Sequence, residues 1–164
     1  SSHTRLPSAA PRVSAGAARS RRRRRRSKMA DIALKKDGGK VLMVSSIDEE
    51  RSGDNILDGS VHSYWMSTGG YPQEVLIELG RPAQLSAIRL STTYVKSVRV
   101  EGCAEDTPVN FHVFDEGDLE EKSGRLQTKD FTIHDGKMAR FVKVIILSGW
   151  HDFCSVHTIS AFAS

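Results

Sequence analysis

EVLIELGRPAQLSAIRLSTTYVKSVRVE, from Glu74 to Glu101, is the stretch that sets the fold class. Its apolar residues come in short runs broken at Gly80-Arg81-Pro82 and around Thr93, and Val98 and Val100 alternate with Arg99 and Glu101. A period of two between turn residues is the pattern of strands, whereas an amphipathic helix would repeat its apolar residues every three or four positions. The same reading extends in both directions. Upstream it gives a strand over Val41 to Ser46. Within the quoted stretch it gives Glu74 to Leu79, Leu85 to Thr92 and Val95 to Glu101. Downstream it gives Asn110 to Asp115, Thr128 to His134, Arg140 to Leu147 and Ser155 to Ala163. Eight short segments without a long helix predict an all-β fold, an eight-stranded antiparallel sandwich. Val142-Lys143-Val144-Ile145-Ile146-Leu147 is rich enough to be a central strand covered on both faces.

The polar loop between the first and second segments holds DNILDGSVHSYW, Asp54 to Trp65. Asp58-Gly59 predicts a tight turn with positive φ at the glycine. Asn55, Asp58, Ser60 and Ser63 offer oxygens at spacings that can converge, and calcium accepts such a mixture of carboxylate, hydroxyl and carbonyl ligands. The plainer reading is an Asx-Gly turn between strands. In either case Trp65 is expected beneath the loop as a core residue whose N–H finds a carbonyl. Trp150 and Tyr71, near predicted loop ends, are the better candidates for exposed contacts.

A chain of 164 residues has room for one compact domain with some to spare. Its first 28 residues carry ten basic groups, including Arg21 to Arg26, and no acid; of 24 basic and 20 acidic residues, the remainder keeps 14 and 20, a formal −6. This extension has little to bury and is expected to be disordered. An arginine run reads as a nuclear-import or nucleic-acid arm, an organelle transit peptide or a polybasic membrane contact. The reading adopted is that Met29-Ala30 is a natural start, that residues 1–28 are not part of the native protein, and that the domain is 29–164. No apolar run has transmembrane length and no signal-peptide core follows the basic stretch, so the body is expected to be cytosolic. Cys103 and Cys154 lack metal-ligand spacing and are expected to be free thiols.

Catalytic patterns are weak. His134-Asp135 and His151-Asp152 invite a catalytic reading, with Ser148 and Ser155 flanking the second pair, but no nucleophile elbow accompanies them. Adjacent residues in a strand point to opposite faces, so each His is a poor partner for its Asp. His157, inside a strand, is expected to be a core or cross-strand residue. The body also lacks the interleaved basic and aromatic residues of a nucleic-acid surface. A non-enzymatic protein is expected.

The order of motifs carries a resemblance. An Asn55-Ile56-Leu57-Asp58-Gly59 loop closes on Trp65, and Thr68-Gly69-Gly70-Tyr71-Pro72-Gln73-Glu74 leads into an apolar strand. Both resemble the galactose-binding-domain-like jelly roll of discoidin-type and Doc-type domains. Gly124-Arg125-Leu126-Gln127-Thr128, the Ala139 to Ile146 strand and the Phe153 to Ala161 segment are similar to the small β-sandwich subunits of intraflagellar transport complex B. The likeness runs from about Met29 to the C terminus.

That resemblance implies an adaptor with no catalytic role. Such a subunit forms a heterodimer with a Rab-like small GTPase, joins the other complex B subunits, and moves cargo in the cilium or flagellum, with the basal body and cytoplasm as its other locations. It also implies a calcium ion held by the Asn55 carbonyl, the Asp58 carboxylate, the Ser60 carbonyl and Ser63 through hydroxyl and carbonyl. Many relatives add a last-strand Glu where Phe162 stands here, which removes a charge from the site and lowers calcium affinity. The alternative implied by the same fold is a calcium-dependent carbohydrate-binding module. A Doc-like ubiquitin-ligase subunit fits less well, because Ala161-Phe162-Ala163-Ser164 does not resemble a docking tail.

Overall fold

In the computed structural model, residues 30–47 and 50–164 are described; the basic extension of 1–28, and the expectations placed on it, lie outside them. The strands are β1 (Lys40–Val44), β2 (Trp65–Met66), β3 (Gln73–Thr93), β4 (Val95–Cys103), β5 (His112–Asp118), β6 (Gln127–Gly149) and β7 (Ser155–Ala163). Every pairing is antiparallel, in the order β2-β7-β3-β6-β4-β5 with β1 on the other side of β3. Two 3-10 turns, Lys35–Asp37 and Gly53–Leu57, complete the elements.

β3 and β6 pair along most of their length, yet they serve two layers. Gln73 to Glu78 pair with Phe141 to Ile146, while Ala87 to Thr92 pair with Gln127 to Thr132, and register shifts separate the two halves at Glu78/Ala83 and Leu85/Ala87. β1, β4 and β5 extend the first half-ladder, and β7 with β2 extends the second. Strands that cross between sheets through bulges make the corners of such a sandwich. Gly80-Arg81-Pro82 occupies one corner, where a proline removes no ladder hydrogen bond. Asp135 (φ 62°) and Gly136 (φ 59°) bend β6 at the other.

The expected segments therefore appear as seven strands and not eight, with three adjustments. Four of them are halves of β3 and β6, joined because the chain bends without leaving the ladder. β2 was not anticipated, and the expected Asn110 to Asp115 strand runs instead from His112 to Asp118. Both departures have one physical cause: β2 is only two residues long and β5 is an edge strand rich in Asp and Glu, so pairing with a neighbour, more than side-chain pattern, makes them strands.

Between the layers lies one core. Val75, Ile77, Val98, Val100, Val142 and Val144 face inward from the first layer, and Ile88, Leu90, Phe131, Ile159 and Ala161 meet them from the second. The expectation for Val142 to Leu147 holds, because the outward face of β6 is also covered. Phe111 folds onto Leu76, Cys103 and Phe141, and the Lys143 ammonium stands 4.1 Å from the Phe111 ring centroid. Among the described residues the outer edges of the first layer are defended against further pairing: β1 by a bulge and Lys40, β5 by Asp115, Glu116 and Asp118.

Both cysteines are free and buried. Burial also raises the pKa of the Cys154 thiol. Ellman's reagent is thus expected to find no fast-reacting thiol in the folded protein and two after denaturation; a fast thiol before unfolding would place one of them at the surface.

Candidate functional site

The loop from Ser52 to Trp65 is assembled from its apolar residues outward. Ser52 caps the Gly53–Leu57 turn by accepting from the Asp54 N–H (3.3 Å), and Ile56 and Leu57 go into the core. Trp65 is fully buried and its Nε1 donates to the Ser46 carbonyl at 2.9 Å, as expected for the residue beneath the loop. These anchors leave the polar residues in between to face one another.

Gly59 takes φ 79°, and a Cβ built on it would stand 3.1 Å from Leu34 Cδ2. Gly59→Ala is accordingly expected to cost about 1–2 kcal/mol, because an L-residue must enter the left-handed region. A lowered urea midpoint would show it, whereas an unchanged midpoint would mean the turn relaxes freely.

At the centre, Ser63 Oγ lies 3.4 Å from the Asn55 carbonyl oxygen and 3.4 Å from the Ser60 carbonyl oxygen. The Asp58 N–H also approaches the Asn55 oxygen at 3.4 Å. All three distances exceed the usual hydrogen-bond range, and one hydroxyl hydrogen is shared between two carbonyls. Two other polar groups of the loop are committed elsewhere. Asn55 Nδ2 donates to the Tyr64 carbonyl (3.1 Å), and Ser60 Oγ accepts from the His62 N–H (3.1 Å). The structure thus brings Asn55, Ser60 and Ser63 together through the oxygens that the resemblance implied, with Asp58 exposed at the end of the turn. Phe162 supplies no oxygen there from its side chain; its ring lies 5.2 Å from the Arg89 guanidinium.

His157 is the residue that the sequence reading left without a specific role. Its Nδ1 is 2.5 Å from the Val61 carbonyl and its Nε2 is 3.0 Å from Ser155 Oγ, which in turn bonds Thr93 Oγ1. A carbonyl can only accept, so Nδ1 carries the hydrogen; in the neutral ring Nε2 then accepts from the Ser155 hydroxyl. The Tyr64 ring stacks on the imidazole at 4.9 Å, and Arg51 Nε donates to the Tyr64 hydroxyl (3.1 Å). Ser155 is 3% exposed. This Ser-His pair is therefore a structural tie, closed to a substrate at the hydroxyl.

At one loop end, Tyr94 (φ 59°), His151 and Phe153 form an aromatic cluster with centroid distances of 4.6–5.5 Å. Tyr71 donates its hydroxyl to the His151 carbonyl (2.7 Å), and Trp150 donates Nε1 to the Leu119 carbonyl (3.0 Å) while remaining 40% exposed. Both expected contact residues thus also hold loops. His134 and Asp135 are exposed at the β6 bend, and His151 joins the aromatic cluster.

Residues 42–159 match the F5/8 type C domain model. Over 131 residues the chain is 32% identical to the human Intraflagellar transport protein 25 homolog, covering 80% of this chain and 90% of that protein. With Intraflagellar transport protein 25 of Chlamydomonas reinhardtii it shares 34% identity over 133 residues, covering 80% of this chain and 69% of the relative. The chain belongs to the intraflagellar transport protein 25 family. Among solved structures, a family 32 carbohydrate-binding module from C. perfringens NanJ in complex with galactose superposes with a TM-score of 0.68 at 15% identity, covering 80% of this chain and 98% of that one. A chitosan-binding module from Paenibacillus gives 0.69 at 20% identity, over 82% and 99%. At those identities the likeness concerns the fold, which is the galactose-binding-like jelly roll. In the intraflagellar transport protein 25 family, then, this chain combines that jelly roll with a loop whose oxygens are carbonyl and hydroxyl for the most part. Among the described residues, no three His, Cys, Asp or Glu side chains gather into a metal-binding group.

Proposed function

We propose that this chain is a non-enzymatic subunit of intraflagellar transport complex B that forms a heterodimer with a Rab-like small GTPase and carries cargo in cilia and flagella. Its places of work are the cilium or flagellum, the basal body and the cytoplasm. The single observation that carries this reading is the 32% identity to a transport protein across nearly the whole domain. A two-layer sandwich with one continuous core, defended edges and covered thiols suits a rigid scaffold. Affinity purification from ciliated cells tests it: a small GTPase and transport subunits are the expected company, while glycoproteins without any GTPase would support the carbohydrate-binding reading instead. That second reading draws on the aromatic cluster of Tyr94, His151 and Phe153 at a loop end, the kind of surface on which a sugar ring can stack.

Calcium belongs to the same proposal as a structural ion. Two oxygens bound to one calcium ion at right angles lie about 3.4 Å apart, which is the spacing of Ser63 Oγ from both carbonyls. Residues Asn55, Ser60, Ser63 and Asp58 would hold the ion, which would supply the positive charge that two carbonyls and a carboxylate lack. With Asp58 as the one carboxylate of the set, affinity is expected to be weak. Heat on titrating calcium into the wild type but not into Asp58→Ala is the expected result, and no heat at millimolar ion would remove the ion from the account.

A further inference from the structure

We propose that His157 is the positioning residue of the oxygen-lined loop: by donating Nδ1–H to the Val61 carbonyl it fixes the segment between Ser60 and Ser63 so that their oxygens converge with that of Asn55. The ligand part of this claim rests on the calcium reading; the anchoring part does not.

Geometry carries it. Val61 lies between the two serines of the loop, and its carbonyl accepts from a residue 96 positions away, at 2.5 Å. The donor is itself held by two neighbours, one of them braced in turn. Ser155 Oγ bonds Nε2 (3.0 Å), Thr93 Oγ1 bonds that serine, and the Tyr64 ring stacks on the imidazole with an interplanar angle of 28°. Tyr64 is tied in turn to the turn residue Asn55 through Nδ2 (3.1 Å to its carbonyl). Both ends of the Asn55 to Tyr64 loop therefore depend on elements of the core: the turn on Ile56 and Leu57, the far limb on His157. Ser60 and Ser63 are both half-buried and belong to neither core cluster. Partners bonded to a ligand itself commonly change metal affinity by about 10–100-fold; His157 bonds the residue between two ligands, so its effect is set at the low end of that range.

Conservative variants separate the hydrogen bond from mere packing. Asn presents an amide nitrogen where the imidazole has Nδ1, so His157→Asn keeps a donor for Val61. Gln places its amide where Nε2 stood, so His157→Gln keeps the Ser155 contact and loses the Val61 bond; His157→Leu loses both. Calcium titration of the full-length chain and its three variants, with amide hydrogen exchange across residues 59–64, is the experiment. The expected result is an affinity about tenfold lower in the Gln and Leu variants, near wild type in the Asn variant, and faster exchange in the same two. Equal affinity and exchange in all four proteins overturns the proposal. Equal weakening in all three variants also overturns it, since the imidazole would then act by its bulk under Tyr64. Should the wild type itself give no heat, the calcium reading fails, and the exchange pattern alone decides the anchoring: faster exchange in Gln and Leu but not Asn sustains it, and no difference ends it.

Discussion

Trp65→Ala is expected to destabilise the domain by about 4 kcal/mol, the range for truncating a buried aromatic to alanine. Three losses combine. The indole is fully buried among core residues of both layers, so its removal opens a cavity that the surrounding strands can fill only in part. Its Nε1–H is the donor to the Ser46 carbonyl, which would be left without that bond. β2 is only Trp65 and Met66, paired with Val156 and Ser155, so the variant also weakens the strand that ties the loop to β7. Trp150→Ala is the control: that ring is 40% exposed, and the expected cost is about 1 kcal/mol from the lost Leu119 bond. Urea unfolding followed by circular dichroism reads both, with the midpoint falling at constant slope. Equal costs for the two tryptophans would contradict the placement of Trp65 as the residue on which the loop rests.

Gln127→Leu carries the next largest effect, about 3 kcal/mol, although the replacement has nearly the same volume. Gln127 is 2% exposed and uses its whole amide. Oε1 accepts from Thr92 Oγ1 (2.9 Å) and the Val95 N–H (3.0 Å), while Nε2 donates to the Val95 carbonyl (2.7 Å) and the Glu120 carbonyl (2.7 Å). It thereby imitates a strand neighbour for Val95 at the turn from β3 to β4, where Tyr94 bends the chain at φ 59°. Leucine would leave the buried Val95 N–H and C=O without partners, each costing about 1–3 kcal/mol if water cannot reach it. A midpoint unchanged within a few tenths molar urea would mean that water or a backbone shift replaces the amide.

These residues also show what a sequence can and cannot disclose. Gly59 and Trp65 were legible because each obeys a local rule, a positive-φ turn after Asp58 and a large indole closing a loop. Val142 to Leu147 was legible because continuous apolar character has few other uses than a strand covered twice. The bends of β3 and β6 were visible as breaks at Gly80-Arg81-Pro82 and at Asp135 to Ala139, but not as corners, since whether a ladder continues across a break depends on a partner strand elsewhere in the chain. Gln127 and His157 were illegible as tethers for the same reason. Gln127 stands between Leu126 and Thr128 with Arg125 and Lys129 beyond them, so nothing local marks it as buried, and the Val61 carbonyl that fixes the His157 tautomer belongs to a residue 96 positions earlier. The oxygens of Asn55, Ser60 and Ser63 could be nominated from spacing and likeness; their 3.4 Å separations could not.

Pairing with a GTPase is the claim on which the functional account rests, and light scattering on the sized complex tests it most directly. Full-length chain co-expressed with the Rab-like small GTPase of complex B is predicted to elute as one species with the mass of a one-to-one heterodimer at micromolar concentration. Two separate monomer peaks, with the chain instead retained on immobilised galactose, would contradict it.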